Sequence, residues 1–227
     1  DELVRHAGAL FGGLSSHSVP SGEIAQFVGG ACASERPFEQ THLIVGFASP
    51  AVGQEDFFAA QVFSGLLGGG MSSRLFQTAR EERGLCYSIY ASAWGLKDCG
   101  MFNVHAATGR DMVGELSEVV AAEIEDCANG GIDQRELARA KAQIKTGILM
   151  SLESSAARAE QMARQLMSIG HLLPAEEIIE RVEAQTTETM TAFARKLLTS
   201  DKTAVSVVGA GAKSGEIAES VRARLVA

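Results

Sequence analysis

The sequence predicts an α+β fold of two layers, an antiparallel or mixed sheet with helices packed on one of its faces. Short β-favouring runs come first, at residues 24–32, 41–48, 87–94 and 99–107. Apolar residues then recur at helical spacing for about ninety residues, and one late β-favouring run follows at 203–208. Strands first, helices next and a strand that returns to the sheet favour a single helical layer on one sheet face.

The chain begins with a helix that has no core of its own. Gly12 and Gly13 end this helix. Its apolar residues have helical spacing and are Leu3, Val4, Ala7, Leu10 and Phe11. Serine, proline and glycine dominate residues 15–22, as is typical of a linker. We therefore expect residues 1–14 to be the last helix of a preceding domain, and residues 23–227 to form a domain of their own.

The next elements alternate between sheet and helix. Residues 41–48 are apolar enough for a central strand. Residues 57–67 have helical spacing, and the helix they predict ends at the glycine loop Gly68, Gly69 and Gly70.

A short helix and a hairpin follow the glycine loop. Leu75, Phe76 and Ala79 would form the buried stripe of the helix, and Gly84 would end it. The next two β-favouring runs flank a turn at residues 95–98, which predicts a β-hairpin.

The helical part of the chain contains recognisable start signals. Asp133, with Glu136 three residues later, predicts a capping box, and Pro174 and Thr186 precede two further helices. Another helix is expected around residues 162–169, and a last helix closes the chain. The first helix of this part is amphipathic, with the apolar residues Met112, Leu116, Val119, Val120, Ile124 and Cys127.

Composition excludes several classes of protein. With 46% hydrophobic residues the chain can bury a core, so general disorder is excluded. The formal net charge of -8 argues against duplex nucleic acid as the main partner, because a phosphate-binding surface needs a basic excess. No apolar run approaches the roughly 18 residues of a membrane span, and the N-terminus lacks the order of a signal peptide. The excess of arginine over lysine and the abundant alanine point to a bacterial source. We expect the protein to be cytoplasmic.

Cysteines and histidines predict no metal site in this chain. The four cysteines form no CxxC pair, which suits isolated thiols in a reducing compartment, and the five histidines form no HxxEH, HxxxH or HxH pair. His42 and His105 fall in predicted strands, where we expect imidazoles satisfied by hydrogen bonds. Cys86 has apolar neighbours and no predicted base nearby, so we expect a buried thiol. The residues from 209 onward do not match the phosphate-loop motif, because Ala212 stands where the motif requires glycine.

Arg80 and Tyr87 are the residues whose chemistry points to a function. Gly84 ends the helix that contains Arg80, and a loop returns Tyr87 beside the helix C-terminus as the next strand begins. A guanidinium and a phenol both donate hydrogen bonds and suit a peptide carbonyl or an oxyanion. An arginine there is also what the helix dipole favours, and a tyrosine at a strand start is often only a half-buried phenol. On pattern alone both interpretations stay open.

A longer stretch of the sequence is similar to a known family. The run LLGGGMSSRLFQTAREERGLCYSIYA resembles the signature of the C-terminal half of the pitrilysin and mitochondrial processing peptidase family, the inverzincin zinc metallopeptidases. QTHLIVGF at 40–47, the run at 136–166 and TAVSVVG at 203–209 agree with it. The resemblance implies that the chain folds as one metallopeptidase half of the LuxS/processing-peptidase-like type. Residues 1–14 are also similar to the last helix of the zinc-bearing first half of that family.

The resemblance implies a role for the chain in catalysis that depends on another half. In that family the first half contains the HxxEH motif and the zinc, and this chain lacks the motif. The chain would then be the substrate-clamping domain of a zinc endopeptidase, inactive as a fragment, whose zinc is bound by a missing N-terminal half or a partner subunit. Arg80 would clamp a peptide carbonyl, and Tyr87 would donate toward a carbonyl or the developing oxyanion. Gly68, Gly69 and Gly70 would line the substrate cleft or form a flexible joint.

Two alternatives keep the same fold. The family includes non-catalytic core or scaffold subunits, and a free-standing peptide-binding module would add an extended peptide to an exposed sheet edge. The retained Arg80 and Tyr87 favour the catalytic alternative, because a scaffold has no need of the pair. The expected partners are a peptide substrate and the zinc-bearing half or subunit, in a homo- or heterodimer, with neither nucleic acid nor a membrane span.

Overall fold

A five-stranded mixed sheet forms the centre of the computed structural model, in which residues 1–15, 22–199 and 202–226 are described. The strands are β1 (Gly30–Ser34), β2 (Pro37–Ser49), β3 (Cys86–Gly95), β4 (Gly100–Thr108) and β5 (Ala204–Ala210). Their order across the sheet is β1-β5-β2-β4-β3. Strands β1 and β5 are parallel, and the other neighbours are antiparallel. The predicted α+β class with a mixed sheet is confirmed.

Helices account for most of the remaining chain. A π-helix (Phe76–Glu82) precedes β3, and a 3₁₀ turn (Gly211–Lys213) precedes the last helix. The predicted capping box is present at Asp133, whose amide donates to Glu136 Oε1 at 2.7 Å. The α-helices are α1 (Glu2–Phe11), α2 (Phe57–Gly68), α3 (Val113–Ala128), α4 (Gln134–Leu152), α5 (Ser155–Ile169), α6 (Ala175–Glu183), α7 (Thr187–Leu198) and α8 (Ser214–Val226).

The core lies between the helices and one face of the sheet. Phe63 of α2 lies 5.6 Å from Phe102 of β4 and 5.5 Å from Phe193 of α7, measured between ring centroids. Leu43 and Val45 of β2 are buried on this same face. Side chains alternate along a strand, so every second residue of β2 and its neighbours contributes to this core and the residues between them face away.

The second face of the sheet is open, and residues 22–29 cross part of it. The ring of Phe27 lies 3.8 Å from the position that a Cβ would take at Gly46, and the amide of Ala25 donates to the carboxylate of Asp98 at 3.0 Å. The predicted strand at 24–32 is therefore wrong for most of its length. Strand β5 begins at Ala204, opposite Gly30, so the residues before Gly30 have no strand to pair with.

Helix α1 makes no buried contact with this core. None of its residues is buried, and Gly12 follows its last turn as expected. Most of the predicted linker, residues 16–21, lies outside the described residues. The division into residues 1–14, 15–22 and 23–227 stays a prediction.

Arg74 ties the start of the π-helix to α3 and α4. Its Nε and Nη2 donate to the two oxygens of Glu136 at 2.8 and 2.5 Å, and its Nη1 lies 2.5 Å from an Asp126 oxygen. Nη2 also donates to the carbonyl of Gly131. The Arg74 side chain is only 14% exposed. Burial alone would lower the pKa of Arg74, but its hydrogen bonds to Glu136 and Asp126 raise it overall. One cation therefore joins three elements of the fold.

Replacing Arg74 should destabilise the whole domain. We expect Arg74→Met to lower the free energy of unfolding by about 3–5 kcal/mol, because it leaves buried carboxylates without their cation. Urea unfolding followed by circular dichroism measures this. The matched control is Arg164→Met on α5, whose pair with Glu160 is mostly exposed and should contribute at most about 1 kcal/mol. Equal losses in the two variants would contradict the assigned role of Arg74.

Candidate functional site

Arg80 lies near the end of the π-helix. Leu75 and Ala79 are fully buried, as the sequence predicts, and anchor this segment in the core, whereas Phe76, also predicted to be buried, is only half-buried. The Arg80 guanidinium carbon lies 4.6 Å from the centroid of the Phe76 ring. That cation–π contact orients the guanidinium without using its N–H groups. The sequence predicts the helix correctly but not its π-helical form, a form that is frequent at functional sites.

A tight loop returns the chain from Arg80 to β3. Gly84 has a φ of +62°, in the left-handed region that glycine adopts freely. The amide of Gly84 donates to the Arg80 carbonyl at 3.1 Å, and the amide of Leu85 donates to the Ala79 carbonyl at 2.8 Å. The expected return of the chain beside the helix end is therefore confirmed.

Tyr87 lies in a β-bulge at the start of β3. Cys86 pairs with Thr108 and Ser88 pairs with Ala107, so Tyr87 is an extra residue with no partner on β4. The residue is 73% exposed. It lines a shallow pocket of about 320 Å³. The phenol is therefore accessible and is directed by a backbone irregularity, not by core packing.

The positive charge of Arg80 acts on Cys86, the residue before Tyr87. Burial raises the pKa of the Cys86 thiol, and the positive charge of Arg80 partly offsets that rise. Arg80 is thus close enough to act on the residue that precedes Tyr87. The expectation that Cys86 is a buried thiol is confirmed, and a raised pKa disfavours the thiolate that a nucleophile requires.

The Arg80 guanidinium has unused hydrogen-bonding capacity. Its side chain is 39% exposed, and its Nε lies 3.9 Å from an oxygen of the exposed Glu81. Such a pair is worth at most about 1 kcal/mol because water screens it. Within the described residues the guanidinium makes no hydrogen bond. It is free to bind an added acceptor such as a peptide carbonyl.

The glycine loop is held by close packing. A Cβ on Gly68 would lie 2.3 Å from the amide nitrogen of Ala91 in β3. The carbonyl of Gly69 accepts a hydrogen bond from Gln143 Nε2 of α4 at 2.8 Å. Gly69 also lines a cavity of about 890 Å³ between helices, whereas Tyr87 lines a different pocket. A contact between Gly68–Gly70 and substrate stays a prediction.

The described side chains form no zinc site. Across residues 1–15, 22–199 and 202–226, no group of three or more His, Cys, Asp or Glu side chains could hold a metal ion. His42 and His105 lie 5.6 Å apart between ring centroids, without a third ligand of these types. The same ranges contain no helix with the length and apolar character needed to cross a membrane.

The surroundings of His105 contradict the expectation that its imidazole is satisfied by hydrogen bonds. Its Nδ1 atom is buried and has no hydrogen-bond partner among the described residues, so the expected hydrogen bond is missing. The ring stacks on Tyr90 instead, with the centroids 4.9 Å apart. Burial, and then the nearby His42, lower the pKa of His105, so the neutral imidazole is favoured.

Comparison with known proteins identifies the family. The family model described as the peptidase M16 inactive domain matches residues 1–144. The chain belongs to this family. It is 31% identical over 202 residues to an uncharacterized zinc protease of Bacillus subtilis, with 88% of this chain and 49% of that protein covered. It is 34% identical over 188 residues to an uncharacterized zinc protease of Mycobacterium tuberculosis, with 83% and 43% covered. The chain spans about half the length of these curated relatives.

Solved structures share the fold. A protease from Helicobacter pylori has a TM-score of 0.82 at 19% identity, with 91% of this chain and 52% of that chain covered. A chain of complex III2 from Candida albicans also has a TM-score of 0.82, at 18% identity, with 96% and 55% covered. The predicted resemblance to the C-terminal half of the pitrilysin family is confirmed.

Gly68→Ala should be destabilising. The added methyl group would meet the backbone of β3, and we expect overpacking to cost about 1–3 kcal/mol in unfolding free energy. The matched control is Gly147→Ala in α4, where a Cβ meets no atom within 4 Å and should stabilise by about 0.5–1 kcal/mol. Thermal unfolding of both variants measures the difference. A Gly68→Ala protein as stable as wild type would contradict the close approach of α2 to β3.

Proposed function

We propose that this chain is the substrate-clamping C-terminal domain of a zinc-dependent endopeptidase that hydrolyses peptides or processes precursors. The observation that carries the proposal is the accessible donor pair of Arg80 and Tyr87, brought to one neighbourhood by the turn at Gly84. Relatives of twice the length, in Bacillus subtilis and Mycobacterium tuberculosis, are named zinc proteases.

The chemistry of the pair suits peptide hydrolysis. A peptide carbonyl oxygen accepts hydrogen bonds, and it gains negative charge as its carbon becomes tetrahedral. Donors fixed before the reaction bind that oxygen more strongly in the transition state than in the substrate, which lowers the barrier. In this proposal Arg80 clamps a backbone carbonyl near the scissile bond, and the Tyr87 hydroxyl donates to the developing oxyanion. Neither side chain acts as the nucleophile.

The zinc and its HxxEH motif would come from an N-terminal half of the same protein or from a partner subunit. Three observations support this part of the proposal. The described residues of this chain hold no metal-ligand set, the chain covers about half of its curated relatives, and those relatives are named zinc proteases. Peptide bonds would then be cut only where the two halves face each other.

A non-catalytic core or scaffold subunit is the alternative function. The observation that favours it is the shared fold with a chain of complex III2 from Candida albicans. A scaffold would gain nothing from an exposed guanidinium and an exposed phenol near each other. Activity of the complete protein separates the two functions.

The chain alone should not cleave peptides. We expect no hydrolysis of fluorogenic peptides by the 227-residue chain, with or without added Zn²⁺, and zinc-dependent hydrolysis once the HxxEH-bearing half is present. Hydrolysis by the chain alone that chelators abolish would contradict a zinc site on the other half. A complete protein that binds zinc but cuts no peptide would favour the scaffold.

Arg80→Ala and Tyr87→Phe should each impair the complete enzyme. We expect kcat/KM to fall by a factor on the order of 10² to 10³, the usual cost of one oxyanion donor. Arg83→Ala is the matched control, because Arg83 lies three residues further on, is exposed and has only a 3.9 Å contact with Glu115. Steady-state kinetics on one peptide measures all three variants. Wild-type rates in both Arg80→Ala and Tyr87→Phe would remove the pair from the mechanism.

A further inference from the structure

A buried hydroxyl at the end of β4 reaches the loop between the two donors. Thr108, the last residue of β4, is 2% exposed, and its Oγ1 donates to the carbonyl of Leu85 at 2.5 Å. The carbonyl of Gly109 is a second acceptor, but it lies 3.4 Å away. A threonine hydroxyl has one proton to donate, so that proton goes to the nearer oxygen. The Thr108 side chain therefore holds Leu85.

Leu85 is held from two sides. Its amide donates to the carbonyl of Ala79, the residue before Arg80, at 2.8 Å. Its carbonyl accepts from Thr108, and its side chain is buried. Leu85 and Thr108 are both buried within this chain, so their bond does not depend on another half of the protein. One residue thus joins the segment of Arg80 to strand β4, two positions before Tyr87.

The hydroxyl supplies an anchor just outside the sheet. Leu85 precedes β3, whose pairing with β4 begins with Cys86 opposite Thr108. A buried backbone carbonyl is costly when it has no donor, so it holds on to the donor that it has. The side chain of Thr108 therefore extends the attachment of β3 to β4 by one residue, toward Arg80.

Tyr87 depends on this anchor because the sheet does not pair it. Tyr87 is the extra residue of the bulge, and its neighbours Cys86 and Ser88 pair with Thr108 and Ala107. The conformation of a bulge is set by the residues beside it. Loss of the Thr108 hydroxyl would free the chain just before the bulge and let the phenol shift.

Arg80 is fixed by other contacts. Its guanidinium carbon lies 4.6 Å from the centroid of the Phe76 ring, and Arg74 binds Glu136 at the start of the same segment. Neither contact involves Thr108. Loss of the hydroxyl would therefore change the position of the phenol relative to a guanidinium that stays in place.

We propose that Thr108 is a positioning residue for Tyr87. Through the carbonyl of Leu85, its hydroxyl sets the place of the phenol relative to the Arg80 guanidinium, and it touches neither substrate nor zinc. This proposal rests on the proposed function for the reaction that the pair serves. A donor must lie within hydrogen-bond distance of the oxygen that gains charge, and a misplacement of about 1 Å can cost on the order of 10² in rate.

A second threonine gives a matched control. Thr41 of β2 lies opposite Thr108 in the ladder between β2 and β4. It is 1% exposed, and its hydroxyl has no hydrogen-bond partner among the described residues. The two hydroxyls are equally removed from water, but Thr108 holds a loop carbonyl and Thr41 does not.

Steady-state kinetics of the complete enzyme is the first test. Thr108→Val keeps the shape and the strand preference of the side chain but removes the hydroxyl. We expect kcat to fall at least about tenfold while KM changes less than about twofold, because a misplaced donor is lost in the transition state. Thr108→Ser keeps the hydroxyl and should have a kcat within about threefold of wild type. Thr41→Val should leave kcat unchanged.

The same kinetics can overturn the proposal. A wild-type kcat in Thr108→Val, or equal losses in Thr108→Val and Thr108→Ser, would do so. Circular dichroism at the assay temperature checks that each variant is folded. If Thr108→Val is not folded, Thr108→Ala removes the hydroxyl without adding a methyl group in its place, and the same kinetic outcome is expected of it.

A double variant separates positioning from general damage. In an enzyme that carries Tyr87→Phe, the phenol hydroxyl that Thr108 positions is already absent. Adding Thr108→Val should then lower kcat/KM less than about twofold further. A threonine that only stabilised the fold would cost the same factor in both backgrounds, so additive losses would overturn the positioning role.

Hydrogen–deuterium exchange of the complete protein tests the anchor without any reaction. We expect the amides of residues 84–88 to exchange about tenfold faster in Thr108→Val, with protection kept in Thr108→Ser and in Thr41→Val. Unchanged exchange in Thr108→Val would overturn the proposal. A complete protein that cuts no peptide would refute the proposed function, whereas faster exchange in Thr108→Val would still support the anchor at Leu85.

Discussion

The buried ion network of Arg74 is the interaction on which the candidate site depends. Arg74 fixes the start of the π-helix to Glu136 and Asp126, while the 2.8 Å bond between Leu85 and Ala79 fixes its end to β3. A buried cation loses its hydration, so it is tolerated only when its donors are matched by acceptors. The segment that carries Arg80 is therefore held at both ends, which is the preorganisation that electrostatic catalysis requires.

The sequence predicts those elements of the fold that local chemistry determines. The helical period and the capping box at Asp133 place α3 and α4, and the apolar runs around the turn at 95–98 place the β3–β4 hairpin. Strand pairing is not local. Residues 24–28 favour strand as much as Gly30–Ser34 do, but only the latter lie opposite β5. The π-helical form cannot be predicted from the sequence, because the same buried Leu75 and Ala79 suit an α-helical turn equally well.

The candidate site was predictable in its chemistry but not in its geometry. The donor character of Arg80 and Tyr87 follows from the residue types, and the glycine at 84 predicts the return of the chain. The bulge at Tyr87 exists only as a mismatch of one residue between β3 and β4, which no single strand reveals. The exposure of Tyr90 and Trp94 is not predictable for a similar reason. Tyr90 and Trp94 alternate correctly for a strand, yet which face the helices cover depends on the whole fold.

Two arginines six positions apart show how a structural cation differs from an available one. Arg74 is 14% exposed and donates to three carboxylates, those of Glu136, Asp126 and Glu123, and to a carbonyl, so its hydrogen-bonding capacity is consumed. Arg80 is 39% exposed, and its carboxylate contact is 3.9 Å long. The helix dipole explains why a cation is tolerated at the position of Arg80. It does not explain why the ring of Phe76 orients the guanidinium while its N–H groups stay unpaired. That arrangement is expected of a donor whose acceptor arrives with the substrate.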